Sequence, residues 1–244
     1  MGDHRLAILT GVAAKLTIGR DSAAQIVPTH YASEERIAAL LDRLGKPASA
    51  KFIRDKLPEG KNIRSGDLGE IFATEFVGEK TIYTVPIKRL RWKDHRDMSM
   101  RGDDLIAVRM PDEGPPIEFM KGETKSRAAL AAAVLTEARD ALDRDGGLPS
   151  PHALTFVGDR LREIGDIGLA DAIDDAQLVD GILPAQVCHY LFIFCGNNPD
   201  ALMRTNLMAY AGAINQLYVA LRVSTHQTFI KDIYLKVIEN GDDG

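Results

Sequence analysis

Two acidic residues and a Glu-x-Lys sequence lie at the ends of two apolar segments in the middle of the chain. Asp103 and Asp104 precede the first segment, and Glu123 and Lys125 close the second. Because side chains alternate across a strand, Glu123 and Lys125 would share one face of a sheet. Hard divalent cations such as Mg²⁺ prefer carboxylate and carbonyl oxygens. These residue types therefore predict a metal site that acts on a phosphate ester.

A glycine–proline turn, Gly114-Pro115-Pro116, separates the two apolar segments. Residues of this kind reverse a chain, and an antiparallel pair brings the start of the first strand beside the end of the second. Asp103 or Asp104 would then lie next to Glu123. The competing interpretation is a surface hairpin with ordinary solvated charges, because Glu and Lys are common residues.

Asp104, Glu123 and the backbone carbonyl of Thr124 would suffice to hold one Mg²⁺ or Mn²⁺ ion, with water and substrate phosphate as further ligands. Such an ion acidifies a water molecule and neutralises charge on the phosphate under attack. Lys125 would orient that water or the phosphate. As a general base its pKa would have to fall from ~10.4 to ~7.4, which costs about 4 kcal/mol.

The pattern resembles the PD-(D/E)XK nuclease superfamily, in which a helix glutamate precedes an aspartate and a Glu-x-Lys sequence. It is more particularly similar to the HamA-like nuclease subunits of the Hachiman antiphage defence system. The similarity is good over roughly residues 65 to 130 and loose elsewhere. It rests on the run Ser65-Gly66-Asp67-Leu68-Gly69-Glu70, on Pro86-Ile87-Lys88, and on Arg101-Gly102-Asp103-Asp104 with Glu123-Thr124-Lys125.

This resemblance implies a metal-dependent bacterial DNA nuclease that acts with a helicase partner in an antiviral complex. It assigns the catalytic positions, in the order helix glutamate, metal aspartate, metal glutamate and lysine, to Glu70, Asp104, Glu123 and Lys125. This sequence has Gly-Asp-Asp where the superfamily has Pro-Asp, so Asp103 stays an alternative metal ligand.

Asp104 is preferred to Asp103 because it abuts the apolar run and would share a strand face with Ile106 and Val108. Glu70 lies almost opposite the apolar stripe of its expected helix, so a solvated helix residue is the competing interpretation for it.

Basic residues gather between positions 86 and 101, where six lysines and arginines accompany two aspartates. A net charge of -5 for the chain argues mildly against nucleic acid, but a local basic cluster can bind phosphates through counterion release. A solvated basic loop is the competing interpretation. The candidate DNA-binding residues are Lys88, Arg89, Arg91, Lys93, Arg96 and Arg101.

The composition is that of an ordinary globular protein, with 45% hydrophobic and 27% charged residues in 244. The longest misleading apolar run, residues 6–14, is too short to span a bilayer and lacks a strongly basic start, so we expect a buried strand and no membrane association. Cys188 and Cys195 lie in or beside an apolar segment as buried thiols would, which favours a reducing, cytoplasmic compartment.

The order of elements predicts an α/β protein with a restriction-endonuclease-like core, in which helices flank a mixed central sheet. We expect one structural unit, with residues 1–60 as a helical elaboration packed on the core and residues 61–240 as the nuclease-like domain. The first 30 residues suggest strand-like pieces. Helices are expected at 34–44, 49–57, 66–77, 127–144 with Ser126 as cap, 152–165, 169–178 and 227–238, and further strands at 81–87, 105–108, 117–125, 187–194 and 217–223.

Other catalytic devices are missing from the sequence: residues 58–62 lack a complete Walker phosphate loop, no Gly-x-Ser-x-Gly elbow occurs, and no two of the six histidines have zinc-protease spacing. A non-catalytic scaffold that binds DNA or a helicase is one alternative, and a stand-alone restriction or repair endonuclease is another. The carboxylates favour a nuclease, because binding alone gives no reason to gather them. The oligomeric state stays open.

Overall fold

The computed structural model describes residues 4–100, 102–111 and 116–242. Gly114 and Pro115 of the expected turn lie outside these residues, as does Arg101 of the basic cluster.

A five-stranded mixed sheet forms the centre of the described chain, as expected. Its strands are β1 (His4–Thr10), β2 (Leu105–Arg109), β3 (Glu118–Arg127), β4 (Val187–Cys195) and β5 (Asn215–Arg222). They are ordered β1-β5-β4-β3-β2, with β2 antiparallel to β3 and the other neighbours parallel. The near-continuous apolar sequence of β4 suits a central parallel strand that is buried on both faces.

Helices surround this sheet. In chain order they are α1 (Leu16–Tyr31), α2 (Glu34–Leu44), α3 (Lys46–Lys56), α4 (Lys61–Lys80), α5 (Ala132–Leu142), α6 (Pro151–Ile164), α7 (Ile167–Asp175), α8 (Asp200–Met208) and α9 (His226–Asp242). α1, α4 and α9 pack with one face of the sheet, α5 and α8 pack on the opposite face, and α6 and α7 pack against β2 and the start of β3. No helix in the described ranges is long and apolar enough to cross a membrane.

The β2–β3 hairpin register places Leu105 opposite Gly122. A side chain at Gly122 would bring a Cβ within 2.9 Å of the Leu105 Cβ, so glycine lets the two strands approach at this point. The register then carries the residues that precede β2 towards the Glu-x-Lys segment of β3. The hairpin expected from the sequence is therefore present as two antiparallel strands.

The N-terminal part of the chain differs in detail from the sequence prediction. Among the described residues 4–30, β1 is the only strand. The expectation of further strand-like pieces there is wrong, because α1 buries Ala23, Val27 and Tyr31 at helical spacing. Residues 1–60, expected as a helical elaboration, hold α1, α2 and α3 but also contribute β1, which pairs with β5 at the sheet edge.

Two other expected elements are corrected. The strand expected at 81–87 is absent, and only Thr84 forms an isolated bridge, to Val108; Pro86 has no N–H to extend a ladder. Ser126 does not cap a helix, because β3 runs on through Ser126, paired with Phe194 of β4. The following helix, α5, begins only at Ala132.

Candidate functional site

Asp104 is fixed beside the Glu-x-Lys segment by two hydrogen bonds. Its Oδ2 accepts from the backbone N–H of Thr124 at 2.9 Å and from the Thr124 hydroxyl at 3.1 Å. Its Oδ1 lies 3.3 Å from Nη2 of Arg89. Asp104, which precedes β2, is therefore bonded to Thr124, the β3 residue between Glu123 and Lys125. This is the arrangement expected from an antiparallel hairpin.

Asp103 has a different environment, although it is the neighbouring residue. Its Oδ2 accepts from the backbone N–H of Ser150, which caps α6, at 2.8 Å, and its Oδ1 lies 3.6 Å from Nζ of Lys121. Lys121 is buried and also donates to two backbone carbonyls, at 2.7 and 2.9 Å. Asp103 thus balances a buried cation and holds α6, and only Asp104 bonds to the Glu-x-Lys segment.

Lys125 forms ion pairs with two glutamates. Its Nζ lies 2.7 Å from Oε1 of Glu123 and 3.0 Å from Oε1 of Glu137 on α5. Burial lowers the pKa of Lys125, but the hydrogen bonds and charges of Glu123 and Glu137 outweigh burial and raise it overall. Lys125 is therefore a cation at neutral pH, as the orienting role requires and a general base would not be.

Glu70 of α4 joins the site through Arg89. Nε of Arg89 lies 2.9 Å from Oε2 of Glu70, and Nη2 donates to Oε1 at 3.2 Å. The same Nη2 donates to Asp104, so one guanidinium connects both carboxylates. The pKa of Arg89 is raised: burial lowers it, and the charges of Glu70 and Asp104 more than offset burial. The Glu70 side chain is only 16% exposed and is paired with Arg89. It is therefore not the solvated helix residue of the competing interpretation.

The carboxylates are incompletely neutralised. Burial, with a further contribution from Asp104, raises the pKa of Glu70 to about 7 although Arg89 opposes this. Burial and Asp104 likewise raise the pKa of Glu123 to about 7, against the effect of Lys125. Additional positive charge would therefore stabilise the ionised form of these acids.

The donor chemistry of the site suits a hard divalent cation. Asp104, Glu123 and the carbonyl of Thr124 offer only oxygen, which Mg²⁺ prefers. Within residues 4–100, 102–111 and 116–242 there is no preassembled cluster of three or more His, Cys, Asp or Glu ligands. Since Arg89 already contacts Asp104, an ion would have to compete with this arginine.

The described residues of the basic cluster are paired within the chain. They fasten the segment that follows Pro86 to α1, α4 and the turn before α4; as DNA-binding residues they stay a prediction. Arg89 pairs with Glu70 and Asp104, and the other pairs are Lys88 with Glu75 at 2.9 Å, Arg91 with the carbonyl of Thr29 at 3.0 Å, Lys93 with Asp67 at 2.8 Å, and Arg96 with Glu59.

Two exposed cations near Glu123 and Glu137, Arg127 and Arg144, were not among the site residues predicted from the sequence. Arg144 lowers the pKa of both glutamates, and Arg127 lowers that of Glu137. Arg127 could have been found, because it continues the alternation of Glu123 and Lys125 along β3. Arg144 lies beyond α5, and no local pattern connects it to the strand.

The fold and the site define a class of protein: a mixed α/β sheet that carries carboxylates and a lysine on an antiparallel hairpin at its edge. The chain belongs to the HamA family, whose model matches residues 20–237 and so includes every candidate catalytic residue. A curated relative, Hachiman protein HamA of Bacillus cereus, is 25% identical over 177 residues. That match covers 72% of this chain and 62% of the relative.

Proposed function

We propose that this protein is a Mg²⁺-dependent DNA nuclease of the PD-(D/E)XK type and the effector subunit of an antiviral defence complex. The observation that carries the proposal is the bonding of Asp104 to Thr124, which fixes an acid beside Glu123 and Lys125. Structural stability alone does not explain why acids with raised pKa values gather at this edge.

The reaction is hydrolysis of a phosphodiester. Water oxygen bonds to phosphorus, the bond from phosphorus to one ester oxygen breaks, and that oxygen leaves with a proton. Asp104, Glu123 and the Thr124 carbonyl would hold Mg²⁺, which, when bound, supplies acidification of the water and charge neutralisation. Lys125, a cation at neutral pH, positions the water or a non-bridging phosphate oxygen.

Glu70 and Arg89 act one step further from the phosphate. Arg89 holds Asp104 on its Oδ1 side, and Glu70 in turn holds Arg89 through two hydrogen bonds. We assign Glu70 to the positioning of this arginine and of Asp104. The pair keeps the acids in place while no divalent ion is bound.

The defence role and the partner rest on family membership. The relative is named as a Hachiman protein, and we extend to this chain an antiphage role with a helicase subunit and DNA as substrate. The alternative is a non-catalytic DNA- or helicase-binding scaffold. The Arg89 contacts favour that alternative in one respect, because they neutralise part of the acidic charge without a metal.

Cleavage of supercoiled plasmid tests the proposal. The purified chain is incubated with Mg²⁺ or with EDTA, alone and with any helicase encoded beside it. We expect nicking or cutting with Mg²⁺ only, and a loss of about 100-fold or more in Lys125→Ala. Lys51→Ala is the matched control, because Lys51 is 74% exposed on α3 and pairs only at the surface with Asp55.

Each result has one meaning. Cleavage that persists in EDTA or in Lys125→Ala contradicts the proposed site. Activity that needs the helicase establishes a regulated subunit, whereas cleavage without it supports a stand-alone nuclease. Binding of DNA or of the helicase without any cleavage supports the scaffold.

A further inference from the structure

A pocket of about 500 Å³ opens directly beside the carboxylates, and Glu70 and Asp104 form part of its wall. This volume is in the range of small-molecule sites in proteins. Much of the remaining wall is apolar or aromatic and comes from the segment after Pro86, from β2 and from α6. The side chains that matter here are Trp92, Met98, Met100, Ile106, Phe156 and Val157.

Two aromatic rings of the wall are held in a fixed arrangement. The Trp92 and Phe156 rings meet edge to face, with centroids 6.3 Å apart. The guanidinium of Arg160 lies over both, 6.0 Å from the Trp92 centroid and 5.5 Å from the Phe156 centroid. Both rings are only partly buried, so they keep surface for a ligand. A partly open aromatic wall is suited to stacking with another flat ring.

The charges around the pocket disfavour an anion inside it. Lys93 is committed to Asp67 at 2.8 Å, and Lys88 to Glu75 at 2.9 Å. The carboxylates of Glu70 and Asp104 in the wall would repel a phosphate unless a divalent ion is bound. A flat, uncharged ring with polar edges fits better, and the exposed side chains of His95, Ser99 and His152 offer hydrogen-bonding groups in the same wall.

We infer that this pocket takes a nucleobase of the DNA strand whose phosphate lies at Asp104. The inference rests on the proposed function and names the form of its substrate. In a duplex the bases are paired and stacked, so a base can enter such a pocket only from a single strand, a frayed end or an extruded nucleotide. The site therefore selects unpaired DNA over intact duplex.

Trp92 makes the test direct, because it is the single tryptophan of the chain. Its emission is followed with Mg²⁺ in the Lys125→Ala background, so that a divalent ion can neutralise the carboxylates while the proposed cleavage is slowed about 100-fold. Three probes are compared: a single-stranded deoxyoligonucleotide of about 12 nucleotides, the blunt duplex of the same length, and an abasic ladder. The abasic ladder is a single sugar-phosphate strand with the same number of phosphates but no bases. We expect the base-containing single strand alone to quench Trp92, and to bind about tenfold more tightly than the abasic ladder.

A matched pair of variants separates the pocket from general effects. Phe156→Leu keeps an apolar wall but removes an aromatic face, and it should reduce the preference for bases over the abasic ladder by about fivefold. Phe52→Leu is the control: Phe52 is also a half-buried helix residue under cationic groups, Arg36 and Lys56, but it lies on α3. It should leave the preference unchanged, and circular dichroism checks that both variants fold.

The outcomes also separate this inference from the proposed function. Quenching and base preference without cleavage in Mg²⁺ would support the pocket and contradict the nuclease. Mg²⁺-dependent cleavage with equal affinity for both single-stranded probes and unchanged Trp92 emission would support the nuclease and overturn the pocket. Preferential binding of blunt duplex would also overturn it.

Discussion

Arg89 meets Glu70 through two nitrogens, with Nε 2.9 Å from Oε2 and Nη2 3.2 Å from Oε1. The same guanidinium lies 3.3 Å from Asp104. A cation supplied by the chain itself therefore occupies the space between two acids of the candidate site. Binding of a divalent ion at Asp104 competes with this ion pair.

Arg89→Met tests that competition. The variant keeps the aliphatic stem but leaves two partly buried acids without their cation, so we expect a loss of about 3 kcal/mol in EDTA at pH 8. Mg²⁺ should then raise the melting temperature more in the variant than in the wild type, as measured by differential scanning fluorimetry. Arg91→Met is the control, because it removes a nearby arginine that bonds to the carbonyl of Thr29 and not to Glu70 or Asp104. Equal increments with Mg²⁺ in all three proteins would show that Arg89 does not compete.

Asp103 and Asp104 should respond differently to the same substitution. Asp103→Asn removes the negative charge that neutralises the buried Lys121, so we expect a loss of about 2 kcal/mol in the free energy of unfolding. The fraction that folds should still cleave plasmid. Asp104→Asn should abolish Mg²⁺-dependent cleavage. Its stability should change less, because the amide oxygen still accepts from Thr124. Loss of cleavage in Asp103→Asn at full folding, with activity kept in Asp104→Asn, would reverse the assignment.

Glu70 should make the stability of the metal-free chain depend on pH. Burial and Asp104 raise the pKa of Glu70 from 4.5 to about 7, so the folded chain binds an extra proton between these values. Stability from this group is present below pH 4.5 and is lost as the pH rises through about 7. Glu70→Gln removes the loss. The stability of the variant relative to wild type should therefore rise by on the order of 2 to 3 kcal/mol from pH 4.5 to 8, in urea unfolding with EDTA.

Glu137→Gln is the matched control for this pH series. Lys125 lowers the pKa of the exposed Glu137, so its contribution is present at neutral pH and is lost as the pH falls. The variant should therefore show a weak trend of the opposite sign. Parallel trends in the two variants would mean that the raised pKa of Glu70 does not govern the slope.

Gly122→Ala should disturb the hairpin at the site. The new Cβ would lie 2.9 Å from the Leu105 Cβ, so β2 must move away from β3 close to the bonds between Asp104 and Thr124. We expect a loss of about 1 to 3 kcal/mol, and a larger fractional loss of cleavage than of folded protein. Gly78→Ala, in α4 with nothing within 4 Å of the new Cβ, should instead gain about 0.5 kcal/mol. If Gly122→Ala leaves both stability and cleavage unchanged, β2 and β3 can accommodate the added methyl group without moving apart.

The hairpin could be predicted from sequence because its signals are local. Apolar runs with a glycine–proline turn between them define β2 and β3, and alternation places Glu123 beside Lys125 on one face. The same local logic correctly gave α2, where the Ser33 side chain accepts from the backbone N–H of Arg36 at 3.2 Å.

The remaining features depend on contacts between distant parts of the chain. In the sequence, Arg89 is one of several basic residues in a loop, and nothing local distinguishes it. The packing of that loop against α4 brings it to Glu70, 19 residues away in sequence. Ser126 has the features of a helix cap, yet pairing with β4 keeps it in a strand, and its hydroxyl bonds to Ser65 at 2.8 Å. In both cases tertiary structure overrides a local preference.

The different duties of Asp103 and Asp104 have a consequence for the history of this family. Under the proposed function, a lineage that lost cleavage but kept the protein as a binding subunit would be free to change Asp104, while selection for folding would still preserve Asp103, which balances Lys121 and holds α6. A homologue that keeps the aspartate at position 103 but not the one at position 104 would thus have lost the proposed cleavage and kept the fold. The two adjacent positions would then be under different selection.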